Sequence, residues 1–350
     1  MTGNAAIGEA AIRAGCQCYF GYPITPQNEL TEYMANHLSR RPGCTFIQAE
    51  SEIAAINMVY GASVAGVRTM TSSSSPGISL KQEGISYLAA CQLPGVIVNM
   101  SRGGPGLGSI AAAQSDYHQA TRGGGHGDYR TIVFGPASVQ ELADLTHRAF
   151  ELSDKYFVPA MILGDGMLGQ MMEPVEFTHE APAKPPVRAD ALRGAKGRPS
   201  RFVRTFTSVP AELEELNWSL FRRYQLLQKN EVTWENYMVE DAKLIVTAFG
   251  IAARIAKGAI KQARASGLKV GLFRPITLFP FPQEQVKDLA KNTKYFLDFE
   301  MNMGQMIDDV KLSLEGAGEV SFYGRPGGVI PTSAEVLRVI TRIYHQKGLS

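Results

Sequence analysis

The sequence predicts an α/β protein built on parallel sheets, and three observations carry that expectation. Short apolar runs alternate with amphipathic stretches through the first 165 residues. The run Val96-Ile97-Val98 is continuously apolar, as a strand covered on both faces must be. A second alternation of the same kind starts at Leu244, after a Pro- and Arg-rich interval.

Taken in order, Ala5 to Ala14 reads as a helix and Cys18-Tyr19-Phe20 as a strand, followed by a Gly/Pro turn. Gln27 to Leu38 reads as a helix, with Pro26 suited to its first turn. Thr45-Phe46-Ile47 is strand-like and Glu50 to Ala65 is an Ala-rich helix. Thr69-Met70-Thr71 precedes a hydroxyl-rich turn and a helix from Ser79 to Ala90. Beyond Val96 to Val98 come the strand Ile132 to Phe134, the helix Val139 to Leu152 and the strand Ala160 to Leu163. Near Pro174 the character changes. Pro182, Pro185, Pro186 and the basic stretch Arg188 to Arg204 read as a solvated connector, with an anion site as the lesser alternative for the basic stretch, and Ala211 to Gln228 as a polar helix within it. The second unit then runs through the strand Leu244 to Ala248, the helix Ile251 to Ala265 and the strand Val270 to Phe273. Arg274-Pro275 is expected to turn before the helix Gln285 to Ala290, the strand Tyr295 to Leu297 and the helix Met306 to Leu314. The strand Val320 to Phe322 follows, and Thr332 caps a last helix. The expected division is 1–178, a connector 179–240, and 241–350, in keeping with about 100–200 residues per domain in a chain of 350.

Composition is that of an ordinary globular protein, with 45% hydrophobic and 19% charged residues. A formal net charge of +2, without a dense Lys/Arg run, argues against a nucleic-acid partner. No segment approaches the roughly 20 apolar residues of a membrane span. Met1 to Arg13 lacks the apolar core of a signal peptide. Four cysteines without CxxC spacing suit free thiols in a reducing, cytoplasmic setting.

Several segments carry polar chemistry at the expected carboxyl ends of strands, where open α/β sheets bind ligands. Gly21-Tyr22-Pro23-Ile24-Thr25-Pro26 leaves Thr25 beside a helix start, as a ligand contact or as a cap. Gln48-Ala49-Glu50-Ser51-Glu52 opens a helix whose next residues, Ile53-Ala54-Ala55-Ile56, suggest burial. Its acids either answer the helix dipole or serve a ligand. Thr71 to Gly77, which includes Ser75, offers hydroxyls to a ligand or to its own backbone. Arg102, in Ser101-Arg102-Gly103-Gly104-Pro105-Gly106, has no evident partner and suits a carboxylate or phosphate. No GxxxxGK[ST] loop is present.

Together, and in this order, these segments resemble the alpha subunit of 2-oxoacid:ferredoxin oxidoreductases. Phe273-Arg274-Pro275-Ile276 and Gly324-Arg325-Pro326-Gly327-Gly328 extend the likeness over nearly the whole chain. Subunits for branched-chain 2-oxoacids such as 2-oxoisovalerate, and for 2-oxoglutarate, are the nearest in wording. The resemblance implies a pyrimidine-type thiamine-diphosphate-binding domain followed by a transketolase C-terminal-like domain that serves assembly. It implies thiamine diphosphate shared with a beta subunit, with Mg2+ and [4Fe-4S] clusters on partner subunits. Gamma and ferredoxin-like delta subunits, ferredoxin, a 2-oxoacid and coenzyme A complete the implied set. By the same resemblance Glu52, more than Glu50, bonds the pyrimidine ring nitrogen, and Thr25 and Arg102 meet the substrate. Pro23, Ile24 and Ser75 border the cofactor. Gly164-Asp165-Gly166 resembles only the first half of the thiamine family's magnesium motif, because the next Asn is Asn217. Asp165 is therefore read as ending a strand. A non-catalytic structural or regulatory subunit of such a complex is the alternative, and a stand-alone nucleotide-binding protein is a more distant one.

Overall fold

A computed structural model describes residues 1–181 and 188–349; the prolines Pro182, Pro185 and Pro186 lie outside the described residues. The chain runs α1 (Gly3–Arg13), β1 (Cys18–Gly21), α2 (Asn28–His37), β2 (Thr45–Gln48), α3 (Glu52–Val64), β3 (Thr69–Ser73), α4 (Ser75–Ala90) and β4 (Val96–Ser101). It continues through α5 (Tyr117–Arg122), β5 (Ile132–Phe134), α6 (Val139–Tyr156), β6 (Ala160–Asp165), α7 (Gly166–Gln170) and α8 (Pro210–Asn230). The remainder is β7 (Trp234–Tyr237), β8 (Leu244–Thr247), α9 (Gly250–Ala265), β9 (Val270–Pro275), β10 (Thr277–Phe279) and α10 (Gln283–Leu289). After these come β11 (Tyr295–Glu300), α11 (Met306–Leu314), β12 (Glu319–Gly324) and α12 (Ser333–Gln346).

Two sheets form, in the orders β10-β5-β6-β4-β3-β1-β2 and β12-β11-β8-β9-β7. Apart from the antiparallel pairs β10–β5 and β7–β9, neighbouring strands are parallel. In the first sheet β4 and β6 are buried along their whole length, and their side chains alternate between two cores. Val96, Val98 and Met100 pack with Ile7 and Leu142 on the α1/α6 side. Ile97, Met161 and Leu163 pack with Ile56 and Ile85 on the α3/α4 side. Burial on both faces explains why these strands carry apolar residues at consecutive positions.

Local chemistry sets several element ends. Ser51 caps α3 by accepting from the Ala54 amide at 3.1 Å, and Thr332 caps α12 as expected. Asp165 does end β6, and its buried carboxylate caps α7 by accepting from the Met167 and Leu168 amides.

Some expectations need correction. The hydroxyl-rich segment is not a free turn: Thr71 to Ser73 complete β3, Ser74 is the cap, and α4 begins at Ser75 rather than Ser79. Pro26 stands before the helix cap Gln27, after a cis Thr25–Pro26 bond, so it is not in the first turn of α2. Arg274 and Pro275 belong to β9 instead of a turn, because β7 pairs with them and extends the ladder. β7 itself falls within the stretch expected to be connector. β10 follows β9 in sequence but joins the edge of the first sheet, so one chain segment ties the two sheets together. Arg274 adds to that tie, pairing at 2.6 Å with Glu141 on α6 and at 2.9 Å with Glu235 on β7.

Candidate functional site

Strand order places the site. β1 lies between β2 and β3, so the chain leaves β1 in one direction and returns to its other side, opening a crevice at the carboxyl ends of β1 and β3. Thr25 follows β1, Glu52 follows β2, Ser75 follows β3 and Arg102 follows β4. All four therefore gather on one edge of the sheet.

Contacts link them in sequence. Glu52 is the first residue of α3 and is buried, 6% exposed, whereas Glu50 lies outside the helix and is exposed. The Glu52 carboxylate rests against the start of α4: a Cβ placed on Gly77 would come within 2.6 Å of its Oε1 and 2.1 Å of Ser73 Oγ. Among the described residues no hydrogen bond or ion pair reaches this carboxylate. The Ser75 hydroxyl donates to Asp116 at 2.6 Å and accepts from the Arg102 amide at 3.0 Å. Asp116 also accepts from Asn99 at 2.8 Å, while the Asn99 carbonyl oxygen of the side chain holds the Ser75 amide. The Arg102 guanidinium donates to the carbonyls of Thr25 and Leu107, each at 2.9 Å.

Arg102 is 8% exposed, and its Nε is buried without a partner. Neutral carbonyls are its acceptors among the described residues, so a cation is held out of water with no anion beside it. Thr25, Ile24 and Pro23 form the turn above this guanidinium, with Thr25 and Ile24 half-buried and Pro23 exposed. A cleft of about 450 Å³, lined partly by Thr25, Pro26, Ala112 and Gly166, opens beside them.

Two contributors were not read from the sequence. Lys81 is fully buried, donating to Thr71 Oγ1 at 2.8 Å and to the Ser72 carbonyl at 3.3 Å. Burial pulls its ammonium down to about 7, and the charge of Glu52 opposes that shift. The signal was present: Ile78, Lys81, Ile85 and Leu88 share one helical face, and a lysine within such a stripe goes into the core. Below it lies a buried network in which Ser72 bonds both Tyr19 and Gln27, and Tyr19 also bonds Thr31 at 3.0 Å.

The second contributor is the segment from Ala112 to His118, which enters the second sheet's own crevice. β8 and β11 flank that crevice, since β9 and β12 lie outside them. Gln114 fills it. Its amide donates to the Met301 carbonyl at 3.0 Å, its side chain accepts from the Met301 amide at 3.0 Å and donates to the Phe249 carbonyl at 2.8 Å. Asn302 donates to the Gln114 carbonyl at 2.9 Å, and Tyr117 to Asp309 at 2.6 Å. The place where a second ligand would sit is taken by the first unit's own chain.

No group of three or more His, Cys, Asp or Glu side chains that could hold a metal ion is found among the described residues. The cysteines are free, and no helix among the described residues is long and apolar enough to cross a membrane.

Comparison with known proteins bears on the family and the fold. Residues 9–232 match the family model described as pyruvate flavodoxin/ferredoxin oxidoreductase, thiamine diphosphate-binding, and residues 242–336 match pyruvate:ferredoxin oxidoreductase core domain II. The chain is 50% identical to the ketoisovalerate oxidoreductase subunit VorB of Methanothermobacter marburgensis, over 98% of this chain and 97% of that one. It is 36% identical to the 2-oxoglutarate synthase subunit KorA of Methanothermobacter thermautotrophicus, over 98% of both. Among solved structures, the 2-oxoglutarate:ferredoxin oxidoreductase from Magnetococcus marinus superposes with a TM-score of 0.84 at 25% identity. That alignment covers 98% of this chain and 64% of the other. A split-gene transketolase shares the fold at a TM-score of 0.61 and 16% identity, covering 98% and 97%. The chain belongs to the family of 2-oxoacid:ferredoxin oxidoreductase subunits.

Proposed function

We propose that this chain is the alpha-type catalytic subunit that holds the aminopyrimidine half of thiamine diphosphate in a complex oxidising a branched-chain 2-oxoacid of the 2-oxoisovalerate type. The overall reaction consumes one 2-oxoacid, one coenzyme A and two oxidised ferredoxins. It yields acyl-CoA, CO2, one proton and two reduced ferredoxins. The observation that carries the reading is a pair of buried charged groups on one sheet edge with hydrogen-bonding capacity left over: the Glu52 carboxylate, which feels the Lys81 charge but has no hydrogen bond among the described residues, and the Arg102 guanidinium, with an orphan Nε. These suit a ring nitrogen and a substrate carboxylate. The 50% identity to a ketoisovalerate oxidoreductase subunit favours the branched-chain substrate over 2-oxoglutarate.

When bound, thiamine diphosphate supplies a carbon nucleophile for the 2-oxo carbon and a sink for the electrons left by decarboxylation. Glu52 holds a proton at the pyrimidine ring nitrogen, and burial makes that bond strong. Arg102 binds the substrate carboxylate, and the Thr25 hydroxyl orients the neighbouring carbonyl. Pro23 and Ile24 present an apolar wall. Ser75 acts through Arg102, because its hydroxyl is already committed to Asp116 and the Arg102 amide. The magnesium–pyrophosphate site and the iron–sulfur clusters belong, in this reading, to a beta subunit. Gamma and delta subunits and ferredoxin complete a cytoplasmic complex, and the chain turns over only within it.

Glu52→Gln in the reconstituted complex tests the assignment. Loss of more than about 100-fold in kcat with the complex still assembled is expected; activity near wild type overturns it. Assays with 2-oxoisovalerate, 2-oxoglutarate and pyruvate decide the substrate, and a preference for either of the last two removes the branched-chain assignment.

A further inference from the structure

At the opposite, amino-terminal edge of the first sheet lies a cavity of about 500 Å³ that the chemistry above does not use. Leu93 on its wall precedes β4, and Phe157 precedes β6. The six residues of β4 alone separate it from Arg102 by roughly 20 Å. Its outer wall is the basic stretch that the sequence offers as a connector ahead of an anion site.

Four guanidinium groups face this cavity, those of Arg188, Arg201, Arg204 and Arg223, against the single lining carboxylate of Asp190. Arg188 pairs with Asp190 at 3.0 Å, and Arg204 reaches out to Glu212 at 3.0 Å. Arg201 faces the same Asp190 carboxylate, which its charge helps to hold below the ordinary value, and Arg223 has no anion among the described residues. Arg201 makes no hydrogen bond there, and Arg223 donates to the Gln92 side chain at 2.6 Å and the Phe157 carbonyl at 3.3 Å, both neutral. Burial lowers the Arg223 guanidinium from its ordinary value, the mark of a cation withdrawn from water without compensation. Arg188 and Arg223 lie 5.9 and 5.8 Å from the ring centre of the same phenylalanine, Phe157. Asp190 and Glu212 answer part of this positive charge, and an anion on Arg201 and Arg223 would answer the rest.

The rest of the lining narrows the ligand. The volume lies within the range of small-molecule pockets and is far more than one phosphate needs. Phe157, Val64, Leu93 and Leu216 give it an apolar floor suited to a flat ring, and Phe202, 87% exposed, stands at its rim. We infer that this cavity is a second ligand site, taking an adenosine-diphosphate-type anion with its phosphates on Arg201 and Arg223 and its base against Phe157 and Phe202. Guanidinium forks match phosphate oxygens in pairs, which lysines would not. A free nucleotide and the nucleotide portion of coenzyme A share this chemistry.

The assembled complex, saturated with thiamine diphosphate, is titrated with ADP by calorimetry. The wild type binds one ADP per copy of this chain; Arg223→Gln and Arg201→Gln each weaken binding about tenfold or more, with unchanged melting temperatures, and Arg223→Lys recovers little. The KM for coenzyme A in Arg223→Gln identifies the source: an unchanged value assigns a free nucleotide, and a raised one assigns coenzyme A. Wild type without ADP binding overturns the site, as does equal binding by wild type and variants. Protection of residues 188–204 from hydrogen exchange by partner subunits, with no effect of ADP, also overturns it in favour of an acidic partner segment.

Discussion

At the scale of single residues, the site is a set of charges placed where water cannot answer them. The Arg102 guanidinium donates to two carbonyls and its backbone amide donates to the Ser75 hydroxyl oxygen, so its direction is fixed before any ligand arrives. Arg102→Gln should raise the KM for the 2-oxoacid by about 10- to 100-fold, while thiamine diphosphate affinity changes far less. Steady-state kinetics and a cofactor titration check both halves. Lys81 presents the opposite case, since its burial is a cost to the fold. Its ammonium falls from 10.5 in an open chain to about 7 in the folded one. The penalty is full below pH 7 and fades as pH rises toward 10.5, so stability grows across that window. Lys81→Met should therefore raise Tm at pH 7 by several degrees and by much less at pH 10, as thermal melts across pH would show. Glu52 and Arg102 were legible in the sequence because acids at a helix start and an Arg among glycines at a strand end are local patterns. Lys81 was not read although its apolar helical stripe signalled burial, because a lysine in a helix is ordinarily solvated; Asp116, half-buried in a loop, takes its role from neighbours distant in sequence.

At the scale of elements, strands with continuous apolar residues announced themselves, as β4 and β6 did. β7 and β10 did not: Trp234-Glu235-Asn236-Tyr237 and Thr277-Leu278-Phe279 are short, partly polar, and antiparallel to partners far along the chain. Pairing of that kind is a property of the assembled sheet rather than of the segment. The same holds for the segment from Ala112 to His118, whose glutamine stands in the second sheet's crevice. Because Asp116 in that segment holds Ser75, and Ser75 holds the Arg102 amide, the second unit steadies Arg102 across a path of hydrogen bonds. Gln114→Ala removes the two side-chain bonds from a buried place. It should cost about 2–3 kcal/mol in urea unfolding and raise the KM for the 2-oxoacid more than it lowers kcat.

At the scale of the whole molecule, the junction between the units carries its own pH dependence. Asp298 and Glu300 are both fully buried at the end of β11. Glu300 accepts from the amides of Gln305, Met306 and Ile307. Burial first, and then Glu300 beside it, push the Asp298 carboxyl well above its ordinary value. A carboxyl raised in this way holds its proton in the folded chain, so the stability that goes with that proton is present at low pH. It is lost as pH climbs from the open-chain value toward the folded one. Asp298→Asn keeps a neutral partner for Thr247, which now donates to Asp298 at 2.7 Å. The variant should melt higher than wild type at pH 8, with the difference closing near pH 4.

The strand exchange between halves also bears on how this polypeptide could be divided. Severing it near residue 240 would strip β10 from its place and leave the ladder groups of β5 bare along one margin. An orphaned margin of that sort invites indiscriminate association with other extended chains. A gene split at the apparent border would thus yield two products that need each other from birth, and a split just beyond Phe279 would only move the bare margin to β8, whose neighbour β11 lies past the cut.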